Sequence, residues 1–205
     1  MRKKDNSYFL RKLHSLSGIV PFGIFMTVHL LINFTAVGGQ ESYNHATDFM
    51  VNMLPFKFFL ELFVIFLPLL FHAGYGLYIA FQGKNNVRQF GYYRNWKFYL
   101  QRVTAILAFL FIVWHVWETK IQIDFYGAEA GFVFMEQILS NNISLAFYII
   151  GVLACIFHFA NGVWTFLITW GITVSPESQR KSEYVAITLF IVLSIIAMRS
   201  LFAFL

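Results

Sequence analysis

Five long apolar runs divide the chain, at about residues 13–37, 58–82, 99–123, 143–171 and 184–205, with short polar stretches between them. Each is about 20 residues or more, so at about 1.5 Å per residue each crosses a hydrocarbon core of about 30 Å as a helix. A helix also satisfies its own backbone polar groups, which lipid cannot. The pattern predicts an all-α membrane protein, one domain over 1–205 with five transmembrane helices, segments I to V, the first four forming a four-helix bundle. Gly18 and Pro21 fall in the first turns of segment I, where a missing amide donor costs least. Pro55 precedes segment II, Pro68 stands four residues before His72 and predicts a kink there, and Pro176 stops segment IV.

Two of the intervening stretches are amphipathic. In 41–54, Tyr43, Ala46, Phe49, Met50 and Met53 recur at helical spacing while His45, Asp48 and Asn52 take another face; Phe132, Met135, Ile138 and Leu139 repeat the pattern. Both read as short interfacial helices that cover the bundle's end, with the roof of a lipid-soluble substrate site as the sharper alternative.

Composition agrees with the pattern. The chain is 59% hydrophobic and only 12% charged, against about 25% charged in soluble domains. The net charge of +5 does not point to nucleic acid, because the basic residues are sorted between the spans. Arg2, Lys3, Lys4, Arg11 and Lys12 precede segment I; Lys84, Arg88, Arg94, Lys97 and Arg102 follow segment II; Arg180 and Lys181 follow segment IV. Only Lys57, Lys120 and Arg199 flank the other side, which puts the N-terminus in the cytoplasm and the C-terminus outside. The basic N-terminus resembles a signal peptide, but its apolar run is about twice the usual core and stays as an anchor. The single cysteine, Cys155, excludes an intrachain disulfide and a thiolate iron–sulfur site built by this chain alone.

The chemistry lies in the histidines. His29, His72, His115 and His158 stand 43 residues apart, one in each of the first four segments. An ionisable group within a membrane helix faces the bundle interior, and neutral imidazole is a common axial ligand of haem iron. A lone histidine of this kind is more often a hydrogen bond between helices; four at matched depths can ligate two haems. His115 lies roughly 5–8 Å and His29 roughly 13 Å below the outer edge, while His72 and His158 lie roughly 23 Å from it. The expected pairs are therefore His29 with His115 and His72 with His158, set diagonally across the bundle. Segments II and IV read FHAGYG and FHFANG, so Gly76 and Gly162 each follow a histidine by one turn and leave room for a flat macrocycle.

The stretches LRKLHSLSGIVPFGIF, RNWKFYLQRVT, WHVWET, FHFANGVW and TWGITVSP resemble the cytochrome b membrane subunits of Gram-positive succinate dehydrogenases. These form the five-helix, two-haem class of the succinate:quinone and fumarate reductase family. The resemblance runs nearly end to end and is weakest in the two outer loops. It implies two b-type haems with axial ligands His29, His72, His115 and His158, an FAD-bearing flavoprotein subunit, an iron–sulfur subunit and menaquinone. On that reading His14, Arg11 and Arg102, at the cytoplasmic ends of segments I and III, are candidates for haem propionates, with lipid headgroups as the plainer contact. Quinone reduction also needs protons, and Glu61 and Glu118 are the carboxylates at the outer depth, with Asp48 a third; helix-end solvation is their ordinary role. Trp114 and Trp117 are candidates to pack on macrocycle or quinone.

Two competitors remain at this stage. One is the cytochrome b anchor of another respiratory dehydrogenase, such as a hydrogenase. The other is a histidine-containing ion transporter, which calls for midplane carboxylates that the spans lack.

Overall fold

The computed structural model describes residues 7–52 and 57–205, the side chains of 49–52 excepted. The candidates Arg2, Lys3, Lys4, Met53 and Pro55, and the side chains of Phe49, Met50 and Asn52, lie outside it. Every regular element among the described residues is helical. Five helices have membrane length: α1 (Ser7–Gly38), α3 (Lys57–Gln82), α4 (Tyr93–Tyr126), α6 (Asn142–Thr169) and α7 (Pro176–Phe202). Two short ones, α2 (Gln40–Asn52) and α5 (Phe132–Leu139), fill the loops where amphipathic helices were expected.

The long helices are the five apolar segments, but they begin earlier than hydropathy alone suggests. α1, α4 and α7 each carry up to two polar turns before the apolar run. Backbone hydrogen bonding continues a helix beyond the apolar stretch that defines it to the eye. This moves two prolines. Pro21 is not in a first turn but well inside α1, where a π-helical turn over Gly18–Gly23 absorbs its missing donor. Pro176 does not stop segment IV either. α6 ends in a Schellman turn at Gly171, whose φ of 72° suits glycine, with Ile172 N donating to Leu167 O at 2.9 Å. Pro176 then opens α7 behind the capping Ser175. In α3 the irregularity near Pro68 takes the form of a second π-helical turn, Glu61–Phe66. A third, Trp117–Ile121, starts two residues after His115.

Helices α1, α3, α4 and α6 form a square in which each touches the next, so α1 faces α4 and α3 faces α6 across the diagonals. α7 packs outside, on α6 and α1. One core cluster, Met26, Leu30, Ile156, Leu193 and Ala197, joins α1, α6 and α7. A second ties the short helices down: Tyr43, Met135, Leu139, Tyr148 and Phe204 are all buried, with the Tyr43 and Phe204 rings 5.0 Å apart. Asn44 Oδ1 accepts from the Phe132 amide at 2.8 Å, capping α5 from α2. Burial pushes the Tyr43 phenol up to about 12. α3 is the exception to all this packing, with no buried residue along its length.

Candidate functional site: two histidine pairs in the bundle

Helix geometry carries the four histidines inward and the square arrangement brings them together two by two. The rings of His29 (α1) and His115 (α4) have centroids 6.0 Å apart, with planes at 67°. Those of His72 (α3) and His158 (α6) are 6.1 Å apart at 81°. Two imidazoles bonded at about 2 Å to opposite sides of one metal place their ring centres about 6 Å apart, so both pairs have the separation of axial ligands.

Hydrogen bonding decides which ring nitrogen is left. His72 Nδ1 lies 2.9 Å from the carbonyl of His14, and His158 Nδ1 lies 3.1 Å from the carbonyl of Gln101. A carbonyl only accepts, so in both rings Nδ1 carries the proton and donates it, leaving the Nε2 lone pair for a metal. His115 Nδ1 meets the Tyr148 hydroxyl at 3.1 Å. His29 stacks on Phe25 at 5.5 Å. No group of three or more His, Cys, Asp or Glu side chains suited to a metal occurs among the described residues. Protein-only zinc sites recruit three or four such ligands, whereas a porphyrin brings four nitrogens of its own and asks the protein for the axial positions. The residues present fit haem.

The remaining candidates fall in several places. His14 joins the His72–His158 pair, its ring stacked on His72 at 4.1 Å and 14°. Its imidazole also fills the space over Gly76, where a Cβ would stand 2.9 Å from it. Gly162 faces the Gln101 side chain at 3.6 Å. Arg102 lies over the Phe98 ring at 3.9 Å and against Gly83 at the end of α3; Arg11 is exposed. Glu61 is ion-paired with Lys120 at 2.9 Å, and Lys120 also holds Asp124 at 2.8 Å. That network joins α3 to α4. Glu118 is half-buried on the π-helical turn, while Asp48 and His45 are exposed. Trp114 packs on Phe147 at 4.8 Å, and Trp117 faces outward.

Backbone carbonyls are the partners of two of the four rings, while Thr119 donates to the His115 carbonyl of its own helix at 2.6 Å. Sequence reasoning missed Gln101 and Tyr148. It also missed Gly18, where a Cβ would run into the His72 ring.

A multi-pass helical membrane protein built around paired interior imidazoles is the class these features define. The succinate dehydrogenase/fumarate reductase transmembrane-subunit family matches residues 82–197. The chain is also 52% identical over 200 residues to the succinate dehydrogenase cytochrome b558 subunit of Bacillus subtilis (strain 168), covering 98% of each. It belongs to that family of succinate dehydrogenase and fumarate reductase membrane subunits, and its place is the cell membrane. The hydrogenase-anchor and transporter readings give way to this one.

Proposed function

We propose that the chain is a di-haem cytochrome b that anchors the flavoprotein (FAD) and iron–sulfur subunits of succinate dehydrogenase and passes electrons to menaquinone. The observation that carries this reading is the pair of 6 Å imidazole contacts, each on a bundle diagonal. His72 and His158 hold the inner haem b, and His29 and His115 the outer. When bound, each haem supplies a one-electron iron couple.

The chain's own part is to orient and insulate. His14 O and Gln101 O fix the tautomers of the inner ligands, and the Tyr148 hydroxyl fixes the position of the His115 ring. Charge sorting puts the N-terminus and the soluble subunits on the cytoplasmic side. On this reading His14 and Arg102 are the partners of haem carboxylates at that end, while the space over Gly76 is taken by the His14 ring and Gly162 lies against the Gln101 amide. At the outer end Glu61, ion-paired with Lys120, and Glu118 are the carboxylates that relay protons to menaquinone on this reading. The test is haem content of the purified membrane subunit in its complex. Two haem b per chain, with reduced b-type bands in the visible spectrum, is expected; one haem or none rejects the reading.

A further inference from the structure

Gln101 binds His158 from both ends of its residue. Its backbone carbonyl accepts from His158 Nδ1 at 3.1 Å, and its side-chain Nε2 donates to the His158 carbonyl at 3.0 Å. The same side chain accepts at Oε1 from Asn161 Nδ2, 2.6 Å away and one helical turn past His158. Asn161 is only 5% exposed, so this amide pair sits in the tight seam between α4 and α6. The Gln101 amide lies against α6 beside Gly162, 3.6 Å from where a Cβ would be, an ordinary contact distance.

Such a reciprocal clasp has a specific consequence. The His158 carbonyl already takes part in its own helix, and a second donor there fixes how far α6 stands from α4 and how it is rotated about its axis. That placement in turn sets the length of the Nδ1–H···O bond to Gln101, and this bond tunes the electron donation of Nε2 to any metal it holds. Among the described residues, no other of the four histidines is hydrogen-bonded at both its ring and its carbonyl by one residue of a neighbouring helix: His72 Nδ1 meets the His14 carbonyl and His115 Nδ1 the Tyr148 hydroxyl.

We infer that the Gln101 side chain is the positioning residue of the inner haem ligand His158, acting through the seam it forms with Asn161 rather than by touching the haem. The inference rests on the di-haem reading above. It is tested in the assembled complex with Gln101→Met, which keeps length and bulk but loses donor and acceptor, and with Asn161→Ala, which removes only the far partner. Redox titration and the low-spin ferric EPR signals are read for each haem separately. Gln101→Met shifts the EPR signal and midpoint potential of one haem, the one lost in His158→Ala, and leaves the other unchanged. Asn161→Ala shifts the same haem less, and the double variant goes no further than Gln101→Met.

Two unchanged haems in Gln101→Met overturn the clasp, as do equal shifts in both, since a merely structural role disturbs the bundle as a whole. If Gln101→Met does not assemble, Asn161→Ala alone decides, by whether its shift is confined to the haem of His158. A wild-type complex without two haems sinks the di-haem reading instead, a result distinct from either of these.

Discussion

His72 and Gly18 are in contact across the seam between α3 and α1: a Cβ at position 18 would run into the imidazole. The His72 ring thus lies directly on the backbone of α1, held there by its Nδ1–H to the His14 carbonyl one turn earlier. Gly18 also begins the π-helical turn that accommodates Pro21, so one irregular stretch of α1 both absorbs the proline and seats the ring.

Gly18→Ala therefore acts on the His72–His158 pair. The added methyl pushes His72 off the His14 carbonyl, at a cost of about 1–3 kcal/mol as in other overpacked interiors. The expected outcome is loss or perturbation of one haem, with the other retained in the visible spectrum. Gly39, with open space around it, is unsuitable as a control because its φ is 90°; Gly74, also open, is the control, and Gly74→Ala leaves both haems intact.

Lys97 is 8% exposed, bonds Glu183 at 2.9 Å and sits 3.5 Å over the Trp164 ring, so it knits α4, α6 and α7 at one end of the bundle. Glu183 is half-buried, so removing Lys97 leaves its charge unpaired but partly solvated, at a cost of up to about 3 kcal/mol. Lys97→Met lowers the thermal midpoint of haem release from the complex. Adding Glu183→Leu recovers much of the loss, because the stranded carboxylate is then gone.

The cap of α2 and α5 carries its own pH signature. Burial raises the Tyr43 phenol from its usual value near 10 to about 12. The unfolded cap thus ionises first, so the stability contributed by a neutral Tyr43 is complete below pH 10 and is lost as pH rises from about 10 to 12. Hydrogen exchange in α5 should accelerate over that window, and Tyr43→Phe should abolish this component of the acceleration.

Much of this architecture was legible in the chain. The apolar runs gave the five long helices, because lipid exposure leaves almost no polar residue within a span. The amphipathic period gave α2 and α5, and Tyr43, Met135 and Leu139 are buried as that period requires. The even spacing of His29, His72, His115 and His158, with depth counted from the charged ends, anticipated which rings the bundle brings together.

What was not legible depends on contacts between helices. Gln101 and Tyr148 read as ordinary polar and aromatic positions until the rotation of α4 against α6 is known. Pro21 and Pro176 were misplaced because hydropathy marks where lipid begins, whereas a helix ends where its hydrogen bonds do. Lys120 counted only as an orientation charge, yet it bridges Glu61 and Asp124. A positive charge carries no sequence mark of the partner it will find.

The central claim is that the four imidazoles serve as two ligand pairs, and single replacements read by EPR and reduced-minus-oxidised spectra of the assembled complex test it most directly. His72→Ala and His158→Ala should remove one and the same haem, and His29→Ala and His115→Ala the other. Identical loss in His29→Ala and His72→Ala, or retention of both haems in any of the four, would contradict the account.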